Sequence, residues 1–404
     1  MKVLYIAPYK NFSSKDAGYG NASLSYLEVL KYMKDNKHIS ELTILDARDN
    51  KDIQTFDTSK QYDIAFVVAH PSSFFQQQTI ALFEYLLKNS KQKYLHILWE
   101  TMPLPSRWNT LFESSLFTGF FAPSYFVGVQ LLEVTKKPVY VIPYYISIPK
   151  QNIDLEEKKK EDTFKVLLVG QDTPRKGIVE GIIAYSRIFN AVEDVQLIVK
   201  SYDMKGKKGY IEKKIQNIAM DNMSCLNNRI YLLEDHLEQK EIYDLYRQSS
   251  VLLMPSRGEG FCLPIAEAMS VGLPCIYTDW SAMPEVGQSS YNIAIDYTLD
   301  EAISMYQFGY EIFSQYAKPS VKSTMKALLY VYMMWKEHRQ EYYEGAQNNI
   351  KIIENKFNKI NISQYFLHLF KEEKTLVPLA IYDTKIVEEL RKQYEQVMID
   401  RSMK

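Results

Sequence analysis

The sequence predicts an α/β protein built from two doubly wound parallel-sheet domains, and three observations predict it. Short apolar runs alternate with helix-periodic segments through the first part of the chain. A charge-dense stretch then interrupts the pattern, and the pattern restarts behind it. The chain has 404 residues, more than one ordinary core uses and enough for two. Alternation of this kind lays strands parallel and covers both sheet faces with helices.

In the first half the candidate strands are Lys2–Ala7, Leu42–Asp46, Asp63–Ala69, Tyr94–Trp99, Thr118–Ala122 and Val139–Pro143. Helical segments run between them; Leu24, Leu27, Leu30 and Met33 line one face of such a segment. Residues 146–163, with Glu156-Glu157-Lys158-Lys159-Lys160-Glu161-Asp162, read as an interdomain linker or as a solvated helix face. Strands resume at Phe164–Val169, Val195–Lys200, Arg229–Leu233, Ser250–Met254, Pro274–Thr278 and Tyr291–Ile295. After Glu301 the chain reads as helical, with Met325–Trp335 and Tyr342–Phe370 largely free of Pro and Gly. The domains are placed at 1–148 and 160–355, with 356–404 returning to the first. In the tail, Val387, Leu390, Tyr394, Val397 and Met398 make an apolar stripe. It suits packing on the first domain, with a homodimer contact as the second reading.

Composition excludes several classes. Hydrophobic residues are 46% and charged residues 24%, a globular balance, and the formal net charge is −1. There is no global basic field for nucleic acid. The opening Met1–Pro8 is too short an apolar run for a signal peptide, and no run reaches the length of a membrane-spanning helix, which leaves peripheral contact as the membrane association expected to be open to it. Cys225, Cys262 and Cys275 lack metal-ligand spacing, which fits reduced thiols and a cytoplasmic setting.

The most informative stretch is Ser256-Arg257-Gly258-Glu259-Gly260-Phe261-Cys262-Leu263-Pro264, continuing to Glu267 and Pro274. It follows an apolar run and reads as strand, loop, helix. Gly258 and Gly260 allow a sharp turn and close approach of a ligand. Pro264 suits the first helical position, and Gly272 then Pro274 stop the helix. Glu259 then lies in the loop and Glu267 in the first helical turn. The amides of Phe261, Cys262 and Leu263 between them offer a site for an anion such as a diphosphate. A ligand with hydroxyls at both ends and phosphates in the middle, a nucleotide-sugar, suits that order of groups.

Other stretches carry candidate chemistry. Asp16-Ala17-Gly18-Tyr19-Gly20-Asn21 reads as a glycine-rich loop, with Asn21 capping a helix; Ser23 stands where a dinucleotide fingerprint needs its third glycine. Gly170-Gln171-Asp172-Thr173-Pro174-Arg175-Lys176-Gly177 follows a strand directly, and Arg175 and Lys176 can hold a diphosphate there. His70 and Glu100 each end a predicted strand, Glu100 in the segment Trp99–Trp108. A lone histidine is at least as often a hydrogen-bonded core residue as a functional one. The chain contains no Asp-x-Asp and no His/Cys cluster with zinc spacing.

The run from Ser256 to Glu285 resembles the E-x7-E signature of the retaining GT-B glycosyltransferases, the large family 4 ("group 1") type. The resemblance implies two Rossmann-like domains facing a cleft, with a late helix, here Lys356–Phe370, crossing back to the first domain. It implies an acceptor-side first domain and a second domain that binds an NDP-sugar, UDP- or GDP-linked. Glu259 matches the glutamate that contacts the donor sugar, and Glu267 the one on the ribose. Lys176 matches the family's lysine on the diphosphate. Gln171 stands where the family has an arginine, and Arg175 is the candidate substitute. Gly18 and Gly20 resemble the loop facing the donor phosphates, with Gly170 in the corresponding second-domain loop. Either His70 or Glu100 is the residue facing the sugar from the first domain. Thr278-Asp279-Trp280-Ser281-Ala282-Met283-Pro284-Glu285 resembles the family's T-D-W-S-G-x-x-E, with Ala282 in place of Gly. The expected activity is retaining, metal-independent glycosyl transfer without a cofactor, to a glycan, lipid-linked or protein acceptor. The alternative is a catalytically inactive partner subunit of the same fold.

Overall fold

The computed structural model describes residues 1–10, 17–202, 210–221, 229–308, 311, 313–371 and 384–402. Asp16 and Cys225 lie outside the described residues. The chain divides into two compact units, Met1–Tyr145 with Phe357–Lys404, and Ile146–Lys356.

The first unit is a six-stranded parallel sheet in the order β2-β1-β3-β4-β5-β6. Its strands are β1 (Lys2–Ile6), β2 (Glu41–Leu45), β3 (Tyr62–Val67), β4 (Ser90–His96), β5 (Gly119–Ala122) and β6 (Val139–Val141). Apolar runs such as Val3–Ile6 and Ile64–Val67 are buried because helices cover both sheet faces. The chain's last segment completes this unit. Helix Lys359–Phe370 lies on helix Ala17–Asp35, where Lys359 Nζ meets Glu28 Oε2 at 2.9 Å. Phe366 sets its ring against Tyr26 and Phe66, at 5.9 and 5.1 Å between centroids. Helix Thr384–Ser402 packs on helix Tyr125–Val134 and buries Leu390, Tyr394 and Val397, while Met398 stays exposed.

The second unit has its own six-stranded parallel sheet, β12-β11-β10-β7-β8-β9. The strands are β7 (Phe164–Val169), β8 (Val195–Lys200), β9 (Ile230–Leu233), β10 (Val251–Met254), β11 (Cys275–Thr278) and β12 (Ile293–Ile295). β7 pairs with both β8 and β10, so the strand order reverses between β7 and β10. That reversal point opens a crevice at the strands' carboxyl ends, where ligands of such sheets bind. In the first unit β1 lies between β2 and β3, and the order reverses between β1 and β3.

Several expectations need correction. Ala17–Asp35 is helical from Ala17, so Gly18 and Gly20 lie in its first turn and Asn21 is not its cap. Leu24 is 40% exposed, off the buried face of Leu27, Leu30 and Met33. β4 ends at His96, so Trp99 and Glu100 follow it in irregular backbone. The charge-dense stretch belongs to the second unit and includes the helix Leu155–Lys159, whose Glu156, Glu157 and Lys159 are exposed as a solvated face would be; Lys158 is the departure. Lys158 is buried, its Nζ held by Glu161 Oε1 at 2.7 Å and the Ser249 carbonyl at 2.8 Å. The chain after Glu301 is not all helix either. β13 (Tyr297–Glu301) pairs antiparallel with β14 (Gln315–Pro319) before helix Val321–Glu337 begins. Tyr342–Phe370 is broken at Asn358, whose side chain accepts from the Asn361 amide at 2.8 Å and caps a new helix.

Candidate active site

The second unit gathers its candidate residues at the β7/β10 reversal. β7 ends at Val169 and feeds Gly170, Gln171 and the 3₁₀ turn Pro174–Lys176; β10 ends at Met254 and feeds the loop to helix Leu263–Ser270. The two loops are braced together. The Arg257 amide donates to the Arg175 carbonyl at 2.6 Å, and the Arg175 guanidinium donates to the Gly258 carbonyl at 2.8 Å.

Between the loops lies a closed ion triad. Lys176 Nζ is 2.6 Å from Glu259 Oε1, and Arg175 Nη1 is 3.0 Å from Glu259 Oε2. The Ser256 hydroxyl donates to Glu259 Oε1 at 2.7 Å. Glu259 is buried, 6% exposed. Burial alone raises its pKa, but the charges of Lys176 and Arg175 and the bonds from Lys176 and Ser256 outweigh it and take the pKa down to about 2. Two loops thus meet at one carboxylate, with two cations against one anion.

Two glycines make this packing fit. An added Cβ at Gly170 would press on Lys176 Cγ at 3.0 Å, so the bare backbone makes room for the lysine stem. Gly177 has φ 63° and caps helix Ile178–Ile188; an added Cβ would sit 1.8 Å from the Pro255 carbonyl oxygen.

Helix Leu263–Ser270 begins after Cys262, at φ 77°, with Pro264 at its second position. Glu267 therefore falls in the second turn, one turn later than expected, because Cys262 is the cap. The first-turn amides have no intrahelical acceptors. Phe261 and Cys262 are buried and Leu263 is half-buried. Glu267 Oε2 accepts from the Tyr246 hydroxyl at 3.0 Å, and burial pushes its pKa up against the lowering effect of that bond. The two glutamates are thus in contrasting states: Glu259 is ion-paired, whereas Glu267 accepts from a neutral hydroxyl. The helix ends in a Schellman turn, with Gly272 and Leu273 amides on the Met269 and Ala268 carbonyls at 3.0 Å each.

Sequence reasoning missed two groups here. The buried Thr173 and Thr278 hydroxyls, at the carboxyl ends of β7 and β11, have no hydrogen-bond partner among the described residues. Unpaired buried hydroxyls at strand ends are groups that a ligand can satisfy. A threonine in a polar loop gives no warning of this in sequence.

In the first unit His70 follows β3, at the β1/β3 reversal. Its Nδ1 accepts from the Ser72 amide at 3.2 Å and caps the 3₁₀ turn Pro71–Phe75. One side of the ring is open to solvent, while Tyr19 and Trp108 crowd the other at 5.6 and 5.9 Å between centroids. Desolvation lowers its pKa, against the raising effect of Glu100. Glu100 is half-buried, and its charge also acts on Tyr19 and Tyr144. So His70, Glu100 and Tyr19 of the glycine stretch share one neighbourhood. An added Cβ at Gly18 would meet nothing within 4 Å, so no packing demands glycine there.

His96 is the first-unit residue that sequence reasoning missed. It is fully buried, with Nε2 3.2 Å from the Tyr144 hydroxyl and Nδ1 without a partner among the described residues. Burial takes its pKa down to about 3, so it is neutral near pH 7. Among the described residues no group of three or more His, Cys, Asp or Glu is placed to hold a metal ion. No described helix is long and apolar enough to cross a membrane.

Residues 149–303 match the family described as glycosyl transferases group 1. This part of the chain is similar to group 1 glycosyltransferases. The matched span holds Lys176, Glu259 and Glu267. Among curated relatives, a putative glycosyltransferase, ORF330, of Acidianus filamentous virus 2 is 25% identical over 200 residues, 47% of this chain and 54% of that protein. A lipopolysaccharide 1,2-N-acetylglucosaminetransferase of Salmonella typhimurium is 20% identical over 208 residues, covering 50% and 52%. The serotype-specific mannosyltransferase WbdA of Escherichia coli is 28% identical over 123 residues, 30% of this chain and 14% of WbdA. The chain thus spans at most about half the length of these relatives. Similarity in fold reaches further. HepE of Anabaena, solved with UDP and glucose, superposes with TM-score 0.62 at 14% identity, over 92% of this chain and 99% of HepE. The lipopolysaccharide outer core galactosyltransferase WaaB gives 0.60 at 13% identity, over 92% and 100%. The two parallel sheets with their helices are the GT-B fold.

Proposed function

We propose that the protein is a retaining glycosyltransferase that moves a sugar from an NDP-sugar, UDP- or GDP-linked, to a glycan, lipid-linked or protein acceptor. The observation that carries this reading is the triad at the β7/β10 reversal: two cations on one buried carboxylate, beside a helix N-terminus. A diphosphate arriving there meets Lys176, Arg175 and the first-turn amides at Phe261–Leu263. Developing charge on the departing diphosphate falls on those groups, an electrostatic role that needs no metal in this reading. Drawing Lys176 and Arg175 toward phosphate loosens their hold on Glu259, whose oxygens then accept from sugar hydroxyls. Glu267, whose described partner is the neutral Tyr246 hydroxyl, accepts from the ribose. Gly170 and Gln171 border the phosphates. By the same reading, Gly18, Gly20 and one of His70 and Glu100 are the first unit's contribution to the donor. Relatives named as mannosyl- and N-acetylglucosaminyl-transferases, and a fold neighbour solved with UDP and glucose, support sugar transfer from a nucleotide donor.

Thermal shift with UDP, GDP, ADP and their sugars tests the class, because binding raises stability as RT ln(1 + [L]/Kd). Calorimetry on two variants then tests the polarity. Glu267→Ala weakens free NDP about ten- to a hundredfold. Glu259→Ala leaves NDP affinity unchanged or tighter, since it frees two cations, yet lowers turnover of the sugar donor. If no nucleotide or nucleotide-sugar binds, the reading fails. If Glu259→Ala abolishes NDP binding in a folded protein and Glu267→Ala does not, the site runs the other way.

A further inference from the structure

We propose that Ser281, working with Ser256, is a positioning residue that fixes Glu259 where its carboxylate reaches Lys176 and Arg175. The inference rests on the functional reading above for its catalytic consequence, but on geometry for its existence. Glu259 stands between Gly258 and Gly260, so its own loop restrains it little. The restraint comes from elsewhere. The Glu259 amide donates to the Ser281 hydroxyl at 2.9 Å, and the Ala282 amide donates to the Glu259 carbonyl at 3.2 Å. The peptide is therefore gripped on both its polar groups by two successive residues. Ser256 holds the carboxylate itself at 2.7 Å. Ser256 and Ser281 are both buried, at 0% and 3% exposure, so neither bond competes with bulk water.

Ser281 holds this grip in a backbone conformation that a serine adopts at a cost. Its φ is 60°, and among the described residues only Lys37 and Cys262 share a positive φ without being glycine. Glycine would take that conformation freely, but it would leave the buried Glu259 amide without its acceptor. A strained serine in place of a relaxed glycine is accounted for by use of its hydroxyl. Strain of this kind gathers at sites whose geometry matters.

The test compares full-length Ser281→Gly, which relieves the backbone and therefore folds, with Ser281→Ala, which keeps the strain. Glu259→Gln is the reference. The first readout is independent of any substrate: the urea midpoint at pH 7 and again near pH 3.5. Lys176 and Arg175 are the charged groups facing Glu259, and the neighbouring Cys262 thiol is kept protonated by burial. A depressed carboxylate contributes stability above its unfolded pKa that is lost as pH falls toward the folded one. Positioning predicts that both serine variants lose about half or more of the part of the wild-type drop in midpoint that Glu259→Gln removes. A purely structural role lowers the midpoint equally at both pH values. The second readout is turnover of whichever NDP-sugar the protein accepts, expected to fall about tenfold or more in kcat while the Kd for free NDP stays within about twofold. An unchanged pH dependence in both variants overturns the proposal, whatever kcat does. Absence of turnover with every donor overturns the functional reading instead, and the pH arm still decides the role of Ser281.

Discussion

Glu259 and Glu267 show how environment separates two identical side chains. Glu259 is held well below the ordinary carboxylate range, so its stabilisation is present above about pH 4.5 and lost as pH falls toward about 2. The difference corresponds to about 3 kcal/mol. Glu259→Gln should therefore lower Tm at pH 7 by about 6–12 °C, and the deficit should shrink at acid pH where wild type loses the same term. Glu267 runs the opposite way. Its raised pKa means that its ionised form is unfavourable in the folded state, a penalty present at neutral pH and relieved as pH falls. Glu267→Gln keeps an acceptor for Tyr246 and should hold or raise Tm at pH 7 while weakening nucleotide binding. Calorimetric scans at two pH values check both signs. Lys176→Ala removes one charge-assisted contact to a leaving diphosphate and should lose about two to three decades of kcat. Arg175→Ala should cost a comparable amount if it replaces the arginine missing at Gln171, and far less if its main partner is Gly258.

At the scale of elements, three glycines should behave differently on change to alanine. At Gly177 the positive φ and the Pro255 carbonyl oxygen leave no room, so Gly177→Ala should destabilise by about 2–4 kcal/mol. At Gly170 the obstacle is the flexible Lys176 stem, so Gly170→Ala should cost little stability but displace the lysine and lower kcat. Gly18 lies exposed in a helix with open space about it, and Gly18→Ala should raise stability by about 0.5–1 kcal/mol. Chemical denaturation ranks the three. A Gly18→Ala protein that is more stable but binds the donor more weakly would show that a ligand uses the bare backbone there. The β13–β14 pair belongs to the same scale. The Ala317 amide donates to the Arg257 carbonyl at 2.8 Å, and the Arg257 side chain pairs with Glu180 and Tyr316. The hairpin therefore steadies the loop that carries Glu259.

For the whole molecule, each unit places its candidate residues where its strand order reverses, and only the second holds the ion triad. Hydrogen exchange with bound NDP should protect residues 170–177 and 256–263 most, because those loops supply the cations and amides. Turnover should persist in excess EDTA, since the leaving-group charge is assigned to Lys176, Arg175 and a helix N-terminus. Complete loss with EDTA, restored by magnesium or manganese, would contradict that assignment.

What the sequence determined by itself was the alternation of elements and the identity of the reactive groups. Buried parallel strands need continuous apolar runs, so β7, β8 and β10 are visible as Phe164–Val169, Val195–Lys200 and Ser250–Met254, the last one residue longer than the strand itself. The E-x7-E stretch is local too, since one loop and one helix carry both glutamates. Antiparallel β13 and β14 escaped notice because β13 is largely exposed and carries Asp300 and Glu301, while β14, though mostly buried, is interrupted by Gln315, Lys318 and Pro319, so neither shows such a run. The helix from Ala17 hid behind Gly18 and Gly20, which favour loops in isolation. Lys158 looked solvated within a run of charges until the Ser249 carbonyl and Glu161 gave it a buried place. Tertiary structure alone decided that Lys176 and Arg175, far from Glu259 in the chain, close on its carboxylate. It decided equally that Ser281 grips the same residue and that His96 is sealed in the first unit. Sequence spacing reports neighbours along one element, whereas a site made where strands reverse order is assembled from loops that only the sheet brings together.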